Sequence, residues 1–262
     1  MLALLVDGLN LIRRIHAAVP GDPASTEHDD GVLHSCTRSV ERALNVYRPT
    51  HALCAFDGAG ESWRHVLLPA YKADRPPMPE SLVRLLPRIR EAFETDGVRC
   101  VEVSGFEADD VLASIAARIA ARGGRSVILS TDKSMLSLLA DGIRVRNHFE
   151  DRELDAAYTR QRFGVEPAQL PHWLALVGEA SQGIPGVKSI GAKTATRLLE
   201  EHGDLEGVLA AAADMSGRAG NALREQAEAA RLSLELATLR TDVAVGVNLN
   251  QCRVDSALSP PP

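Results

Sequence analysis

Acidic residues follow four separate apolar runs of this chain, each at the point where the run ends. They are Asp7, Asp57, the group Glu107, Asp109 and Asp110, and Asp132. The runs have the length and composition of β-strands, and the carboxyl ends of parallel strands share one sheet edge, where ligands bind. Six carboxylates there repel one another unless a cation neutralises them. Hard oxygen ligands favour Mg²⁺ or Mn²⁺ over zinc, so the pattern predicts a metal-dependent enzyme that acts on phosphates.

The elements that would position these acids alternate along the first part of the chain. Apolar runs predict strands over residues 2–6, 51–56, 98–103, 126–130 and 143–147. Helical spacing predicts helices over 9–17, 32–47, 80–94, 110–121 and 132–140, with a loop through Asp30 between the first two. Such alternation is typical of βαβ units. We therefore predict an α/β fold with a mainly parallel central sheet, which forms a first domain over residues 1–150.

A segment between residues 58 and 80 interrupts this alternation, and it is long for a connection between a strand and a helix. It carries Arg64, Lys72 and Arg75, with Asp74 among its few acids, and it ends in a Pro-Pro-Met-Pro run. Because it connects two acid-bearing strands, we expect this basic insert to lie over the acidic edge of the sheet.

Helical patterns predominate from about residue 151, and we predict a second domain over residues 151–262. Residues 183–199 have the pattern of a glycine-rich hairpin between two helices, with Lys188, Lys193 and Arg197 and no acid. Glycines let a backbone approach a phosphate, and the free N–H groups at a helix start can bind it. A long helix over 217–240, a weak strand and a disordered Ser-Pro-Pro-Pro tail are expected to follow.

The composition sets wider limits on the class of protein. Hydrophobic residues make up 45% of the 262, which is enough for a folded core. The net charge of −6 alone disfavours a nucleic-acid partner, although local patches decide phosphate binding. The cysteines lack zinc or CxxC spacing and indicate reduced, buried thiols. No apolar run has the roughly 18 residues of a membrane span, and the first run is too short for a signal peptide, so we expect a cytoplasmic protein.

Six groups of residues together resemble the motifs of the 5′-nuclease superfamily, which includes flap endonucleases and the 5′-nuclease domains of bacterial DNA polymerase I. They are Leu5-Val-Asp-Gly8, Ala55-Phe-Asp57, Tyr71-Lys-Ala-Asp-Arg-Pro-Pro-Met-Pro79, Glu107-Ala-Asp-Asp110, Ser130-Thr-Asp132, and Ile184-Pro-Gly-Val187 with Ile190-Gly-Ala-Lys-Thr194. Their order and spacing most resemble the Xni-type (exonuclease IX) branch of short bacterial flap endonucleases. The resemblance implies a PIN-like 5′-nuclease fold with a helical arch over about 58–95, and a DNA-binding helical domain with a helix-hairpin-helix (H3TH) motif over about 170–200.

The resemblance also implies an activity, which is Mg²⁺-dependent hydrolysis of phosphodiesters at 5′ flaps in branched DNA of replication or repair intermediates. The implied metal ligands are Asp7, Asp57, Glu107, Asp109, Asp110 and Asp132, and Mn²⁺ could replace Mg²⁺. The remaining positions of a second metal site hold Ser134, Glu179 and Gln182, of which two are neutral and one is a longer acid. Since two metals would hold the attacking and leaving oxygens, these departures leave the level of activity open.

Other roles follow from the same resemblance. Asp109 with its metal, Lys72 and Arg75 would stabilise charge on the scissile phosphate, and Tyr71 could stack on an unpaired base. A K⁺ ion would be held by backbone carbonyls of Leu176, Val177, Pro185, Val187 and Ile190. The DNA contacts would be Tyr71, Lys72 and Arg75 in the insert, with Lys188, Ser189, Ile190, Gly191, Ala192, Lys193 and Thr194 in the hairpin.

Three hypotheses remain open at this point. The first is the flap endonuclease, expected as a monomer, with any DNA polymerase partner a separate chain. The second is a branched-DNA-binding protein that cuts little, because the second metal site is eroded. The third is a PIN-like ribonuclease, which the lysine-bearing hairpin disfavours. Trp63 and Trp173 are interpreted as packing residues.

Overall fold

Residues 1–254 are described by a computed structural model, and within them a sheet of six strands lies between two layers of helices. The strands are β1 (Leu2–Asp7), β2 (His51–Asp57), β3 (Arg99–Val103), β4 (Arg125–Leu129), β5 (Ile143–Asn147) and β6 (Arg152–Leu154). Across the sheet their order is β3-β2-β1-β4-β5-β6, and of these six, β6 alone runs antiparallel to its neighbour. The predicted mainly parallel α/β sheet is confirmed.

The helices of the described residues divide into two groups along the chain. The first group is α1 (Gly8–Ala18), α2 (Thr26–Tyr47), α3 (Trp63–Leu67), α4 (Glu80–Thr95) and α5 (Ala108–Ala120). The second group is α6 (Ala156–Phe163), α7 (Leu170–Val177), α8 (Ala192–His202), α9 (Leu205–Ala211), α10 (Gly217–Glu225) and α11 (Ala227–Ala237). No helix in residues 1–254 is long and apolar enough to cross a membrane.

The central strands are buried on both faces because their residues are almost all apolar. In β1, Leu4, Leu5 and Val6 are completely inaccessible to solvent, as expected for a parallel sheet covered on both sides by helices. Leu4 and Val6 belong to a core with α1, α2 and α4, whereas Leu5 belongs to a second core that also contains α5 and the C-terminal helices. The helical half therefore packs directly on one face of the sheet, and the division at residue 150 stays a prediction.

Several predicted elements differ from those observed. The long helix expected over 217–240 is two helices, α10 and α11, separated at Gln226, whose side chain accepts a hydrogen bond from the Lys188 N–H. α2 begins at Thr26 inside the predicted loop, because Ser25 caps it by accepting the His28 N–H. The short helix after β4 is a 3₁₀ helix, Lys133–Leu138.

Strand predictions beyond residue 150 were also wrong in two places. β6 was not predicted, since a three-residue strand has too few residues for an alternating pattern. The weak strand expected after residue 240 is not formed within residues 241–254, where the strand pairing consists of a single bridge between His51 and Arg253. The predicted disordered tail, Ser-Pro-Pro-Pro, lies outside the described residues.

The basic insert folds down against the acidic edge of the sheet rather than standing away from it. Its helix α3 contributes Arg64, and the following turn contributes Tyr71; each is only 2% exposed. The predicted helix over 80–94 is confirmed as α4, which packs into the core through Leu85, Ile89 and Phe93. The insert is thus anchored at both ends by buried side chains.

Candidate active site

The predicted acids lie around the carboxyl edge of the sheet. β1 ends in Asp7, β2 ends in Asp57, and Asp132 follows β4 as the cap of the 3₁₀ helix. Because β2, β1 and β4 are neighbours in register, these three side chains start from the same edge. α5 follows β3 and brings three more acids, since Glu107 precedes its first residue and Asp109 and Asp110 lie in its first turn.

Four of these carboxyl groups interact unfavourably with one another. Burial, together with the charges of Asp132 and Asp57, raises the pKa of Asp7 to about 7, although Ser130 opposes the shift by donating a hydrogen bond of 2.7 Å. Burial likewise raises the pKa of Asp109 well above its ordinary value, and Asp132 and Asp7 add to the effect. At neutral pH such groups ionise fully only when a cation neutralises them.

Hydrogen bonds fix the orientation of Asp57 and Asp132. Asp57 Oδ1 accepts the Ala108 N–H at 2.9 Å, and Asp132 Oδ1 accepts the Ser134 N–H at 2.8 Å. In residues 1–254, no three acidic, histidine or cysteine side chains are close enough to enclose an ion alone. Mg²⁺ retains several waters and takes one or two carboxylates with substrate phosphates, so this set of oxygen donors fits it.

Glu107 and Asp110 are already neutralised by the insert. Glu107 Oε1 accepts from Lys72 Nζ at 2.6 Å, while its Oε2 accepts from Arg64 Nη1 at 2.9 Å and from the Tyr71 hydroxyl at 3.0 Å. Burial opposes the charge on Glu107, but Lys72 and Arg64 more than offset it, so its pKa is lowered. Both oxygens of Asp110 accept bonds from Arg64, at 2.7 and 3.0 Å.

The roles predicted for Asp110 and Tyr71 need correction. Asp110 is completely inaccessible, and it also accepts bonds from Trp63 Nε1 and the Arg240 N–H, so it does not face the edge as a metal ligand. Tyr71 is buried beneath Lys72 with its hydroxyl on Glu107, which contradicts the predicted stacking on a base. Trp63 is half-buried, and its ring lies 4.4 Å from the guanidinium groups of both Arg64 and Arg240.

Arg64 connects the insert, α5 and the end of α11. Besides its bonds to Glu107 and Asp110, its Nε donates to the Leu236 carbonyl at 2.8 Å, and its guanidinium lies 4.4 Å from the centre of the Trp63 ring. In the sequence, Arg64 is recognisable only as a charge of the insert. Its partners are distant in sequence, and an arginine two residues from a serine cap gives no local signal of burial.

Lys72 has an unusual backbone, and its position joins the insert to the helical half. Its φ is +53°, and its N–H donates to the Gln182 carbonyl at 2.9 Å. A Cβ on the adjacent Gly183 would lie 2.7 Å from the Ala70 carbonyl oxygen, so glycine allows this close approach. Arg75 is exposed, and its charge lowers the pKa of Arg13, which burial lowers more strongly. Arg13, on α1, is a basic residue near this edge that the sequence motifs did not indicate.

The positions of the eroded second metal site also come together. Asp132, Ser134, Glu179 and Gln182 line a cavity of about 10 Å³ together with Asp109. Ser134 Oγ is buried and has no hydrogen-bond partner among the described residues. Glu179 Oε2 forms an ion pair with Lys133, a residue that sequence reasoning did not select.

The glycine-rich hairpin joins the end of α7 to α8 and presents several of its predicted DNA contacts to solvent. Ile184, Val187 and Ile190 are buried, so Ile190 could meet DNA only through its backbone. The exposed residues are Lys188, Ser189, Gly191, Ala192 and Lys193, and Thr194 is half-buried. Ser189 has a φ of +78°, and its hydroxyl accepts a bond of 2.9 Å from Arg218 Nε.

The backbone predicted to hold K⁺ is closely packed. Leu176 O accepts the Val187 N–H at 2.9 Å, and Val187 O accepts the Ile190 N–H at 3.0 Å. A Cβ on Gly178, next to Val177, would lie 2.9 Å from Pro185 O. The segments bearing these carbonyls are therefore adjacent, and each carbonyl oxygen has a second lone pair. The K⁺ site stays a prediction.

Comparison with known proteins gives matches over nearly the whole chain. The model of the 5′-3′ exonuclease N-terminal resolvase-like domain matches residues 2–164, and that of the 5′-3′ exonuclease C-terminal SAM fold matches residues 165–259. Flap endonuclease Xni of Serratia proteamaculans is 42% identical over 253 residues, which cover 96% of this chain and 97% of the relative. The Xni of Photorhabdus laumondii is 42% identical over 97% of this chain and 98% of its own.

Solved structures match the whole fold as well. T5 5′-exonuclease with bound zinc has a TM-score of 0.79 and 21% identity, covering 90% of this chain and 89% of its own. The catalytic core of Rad2 with a DNA substrate has a TM-score of 0.56 and 12% identity, covering 92% of this chain and 80% of its own. At these identities the likeness shows the fold alone.

The buried ion pair of Arg64 and Asp110 gives a prediction for stability. Replacing Arg64→Met leaves the Asp110 carboxylate buried without its partner, and we expect the free energy of unfolding to fall by about 3–5 kcal/mol. Urea unfolding measures the change. Arg88→Ala, which breaks an exposed pair with Asp30, is the control and should cost less than about 1 kcal/mol. A loss of unfolding free energy in Arg64→Met no larger than that in Arg88→Ala would show that the buried ion pair does not stabilise the fold.

The raised pKa of Asp7 gives a pH dependence for the metal-free protein. Because its pKa rises from 3.8 to about 7, the folded state binds more protons than the unfolded state between these values. The free energy of unfolding in EDTA should therefore decrease as the pH rises from 5 to 7, by at most about 1.4 kcal/mol per pH unit for this group. Asp7→Asn should flatten the curve, and an unchanged slope in this variant would exclude Asp7 as the source.

Proposed function

The chain belongs to the 5′-3′ exonuclease family and is a nuclease, and on this basis we propose that it is a Mg²⁺-dependent, structure-specific 5′ flap endonuclease acting on branched DNA of replication or repair intermediates. The observation that carries the proposal is the group of four mutually repelling acids at the sheet edge, Asp7, Asp57, Asp109 and Asp132. The 42% identical relatives are themselves named flap endonucleases, and solved structures with this fold contain divalent metal ions.

In this proposal the four acids attract and neutralise Mg²⁺, which completes its coordination with waters and substrate phosphate oxygens, and Mn²⁺ can substitute for it. The bound ion supplies Lewis acidity toward the phosphodiester and lowers the pKa of the attacking water. Asp57 and Asp132 are oriented by backbone N–H groups, and Asp7 is oriented by Ser130, so little reorganisation is needed when the ion arrives. Glu107 is proposed to support this group rather than to bind the ion by itself, because its carboxylate already accepts hydrogen bonds from three donors of the insert.

Lys72 and Arg75 are proposed to stabilise negative charge on the scissile phosphate. Lys72 Nζ lies 2.6 Å from Glu107, so its ammonium is held at the acidic edge before DNA binds. A positioned cation of this kind stabilises charge that develops in the transition state. Tyr71 does not touch DNA in this scheme. Its hydroxyl positions Glu107, and its ring lies 5.0 Å from Lys72 Nζ.

The hairpin is proposed to hold the duplex portion of the substrate. Lys188 and Lys193 are exposed on either side of the turn, and the start of α8 has no side-chain cap among the described residues. Its N–H groups can therefore donate hydrogen bonds to a phosphate, with K⁺ bound by the neighbouring carbonyls. Contacts to phosphates position DNA without reading its sequence, so selectivity arises from geometry. We propose that one chain suffices, with any polymerase a separate protein.

The alternative is a protein that binds branched DNA but cleaves it slowly. It is favoured by one observation, which is that Glu179 is paired with Lys133 and Ser134 is neutral at the second metal positions. A 5′-flap oligonucleotide assay in Mg²⁺ and in Mn²⁺ separates the two functions. Binding without cleavage in either metal would support the alternative.

Asp109→Asn tests the catalytic role of the acidic edge. We expect flap cleavage in Mg²⁺ to fall by more than about 100-fold, because residues that merely support metal ligands already contribute 10–100-fold. The matched control is Asp141→Asn, an exposed acid in the turn before β5, which should cleave like the unchanged chain. Retention of activity in Asp109→Asn would contradict the proposed site.

Lys193→Glu tests the hairpin. Loss of one phosphate contact should weaken DNA binding and reduce the slope of log affinity against log salt by about 0.9. Fluorescence anisotropy with a flap duplex at several salt concentrations measures both. Arg122→Glu makes the same charge change on an exposed residue after α5, at the opposite end of the sheet. An identical salt slope in Lys193→Glu and the unchanged chain would remove the hairpin from the interface.

A further inference from the structure

The turn between β5 and β6, residues 148–151, carries an exposed aromatic ring at the same edge of the sheet as the acids. Leu129 of β4 pairs with Arg146 of β5, and Asp132 and Phe149 each come three residues after this pair. Because neighbouring strands lie about 4.8 Å apart, the turn lies beside the loop that carries Asp132. Phe149 is 42% exposed, so its ring is available to a partner in solution.

The neighbours of this ring hold it in place. His148 is buried; its Nε2 lies 3.2 Å from the Ser39 hydroxyl, and its carbonyl accepts a bond of 3.4 Å from Arg42 Nη2. The imidazole packs edge-on against the Phe149 ring, with 4.6 Å between the ring centres. The Phe149 N–H donates to Asn147 Oδ1 at 3.1 Å. The ring is therefore oriented before any ligand binds.

An arginine of α1 lies beside the ring. Arg14 is exposed, and its guanidinium carbon is 5.7 Å from the ring centre. Since Asp7 caps α1 and a helix rises 1.5 Å per residue, Arg14 lies about 10 Å along the helix from the acidic edge. Of the acids in the turn, Asp151 is paired with Arg146 and Glu150 is exposed. The turn thus presents a flat apolar surface suited to a base, and Arg14 can contact a neighbouring phosphate.

This turn and the glycine-rich hairpin lie on opposite faces of the sheet. The turn is anchored on α2, whose Val32 and Val40 belong to the core that contains α1 and α4. Val187 and Ile190 of the hairpin belong to the other core, with α5. A duplex held by the hairpin therefore approaches the acidic edge from one side. DNA that reaches the ring must continue past the edge on the other side, where a branched substrate has its second duplex arm.

We propose that Phe149 stacks on the terminal base pair of this second arm, with Arg14 on the adjacent phosphate, and that the two residues determine a preference for two-armed branched DNA. The inference rests on the proposed function as a flap endonuclease. Stacking on an aromatic ring tolerates any sequence, because every base has a π-face. At 3.4 Å per base pair, 10 Å corresponds to about three base pairs, so the arm ends within about three pairs of the cut.

Two substrates that share the same cleaved strand test the inference. A two-armed flap carries the second duplex arm, and a splayed duplex lacks it. Fluorescence anisotropy in EDTA measures affinity, and cleavage in Mg²⁺ measures kcat/KM. For Phe149→Leu we expect the affinity for the two-armed flap to fall by at least about 5-fold, the lower end of what base–aromatic stacking contributes. Its affinity for the splayed duplex should equal that of the unchanged chain.

Two further variants serve as controls for the ring. Phe149→Tyr retains an aromatic face and should bind both substrates like the unchanged chain. Val46→Ala shortens another exposed apolar side chain, in the last turn of α2, and should also have no effect on either substrate. A loss in Phe149→Tyr as large as that in Phe149→Leu would overturn stacking as the cause.

A fluorescent base reports the contact directly. With 2-aminopurine in the terminal pair of the second arm, stacking should alter the fluorescence when the unchanged chain or Phe149→Tyr binds, and not when Phe149→Leu binds at saturation. Arg14→Ala should reduce the slope of log affinity against log salt by about 0.9 for the two-armed flap alone. An identical fluorescence change with Phe149→Leu would contradict the assigned contact.

The outcomes separate failure of this inference from failure of the proposed function. Equal losses of affinity for the two substrates would overturn the assignment to the second arm and indicate stacking on an unpaired base. Unchanged affinity of Phe149→Leu for both would overturn any role of the ring. No binding or cleavage of either substrate by the unchanged chain would instead overturn the flap endonuclease. Since the two substrates are compared on the same variant protein, a difference in its stability affects both equally.

Discussion

Repulsion among carboxylates is the constraint on which the rest of this structure depends. A parallel sheet brings the ends of its strands to one edge, and here that edge receives more negative charge than water-poor surroundings tolerate. The chain resolves the conflict in two ways. Glu107 and Asp110 are neutralised internally by Arg64 and Lys72, whereas Asp7 and Asp109 have strongly raised pKa values and require a cation from outside.

The internal neutralisation also determines how the two halves of the chain are joined. Arg64 reaches from the insert to Asp110 on α5 and to the Leu236 carbonyl at the end of α11. A buried arginine with so many partners can occupy only one arrangement, since any shift leaves a charge unpaired. The insert, the sheet edge and the helical half are consequently fixed relative to one another by a side chain that itself does no chemistry.

Much of the fold could be predicted because its signals are local. Strands β1, β2 and β4 are short apolar runs followed by an acid, and α4 and α5 have clear helical spacing. The sequence could not indicate that Tyr71 is buried or that Asp110 is enclosed, since both depend on Arg64 and on partners far away in the chain. The interruption at Gln226 was not indicated either, and the side chain of this residue accepts a hydrogen bond from the Lys188 N–H, which is distant in sequence. Likewise, Lys133 directly follows the motif residue Asp132, and its ion pair with Glu179 depends on the fold because the two residues are distant in sequence.

The hydrogen bond from the Lys72 N–H to the Gln182 carbonyl has a consequence for how such proteins diverge. Because Gly183 lies close to the Ala70 carbonyl, the backbone of the insert near Ala70 is in contact with the backbone at the start of the hairpin. Neither segment can change length or conformation independently of the other. A chimaera in which the insert is exchanged between homologues should therefore also exchange the turn at residues 182–183. The two segments are expected to change together during evolution.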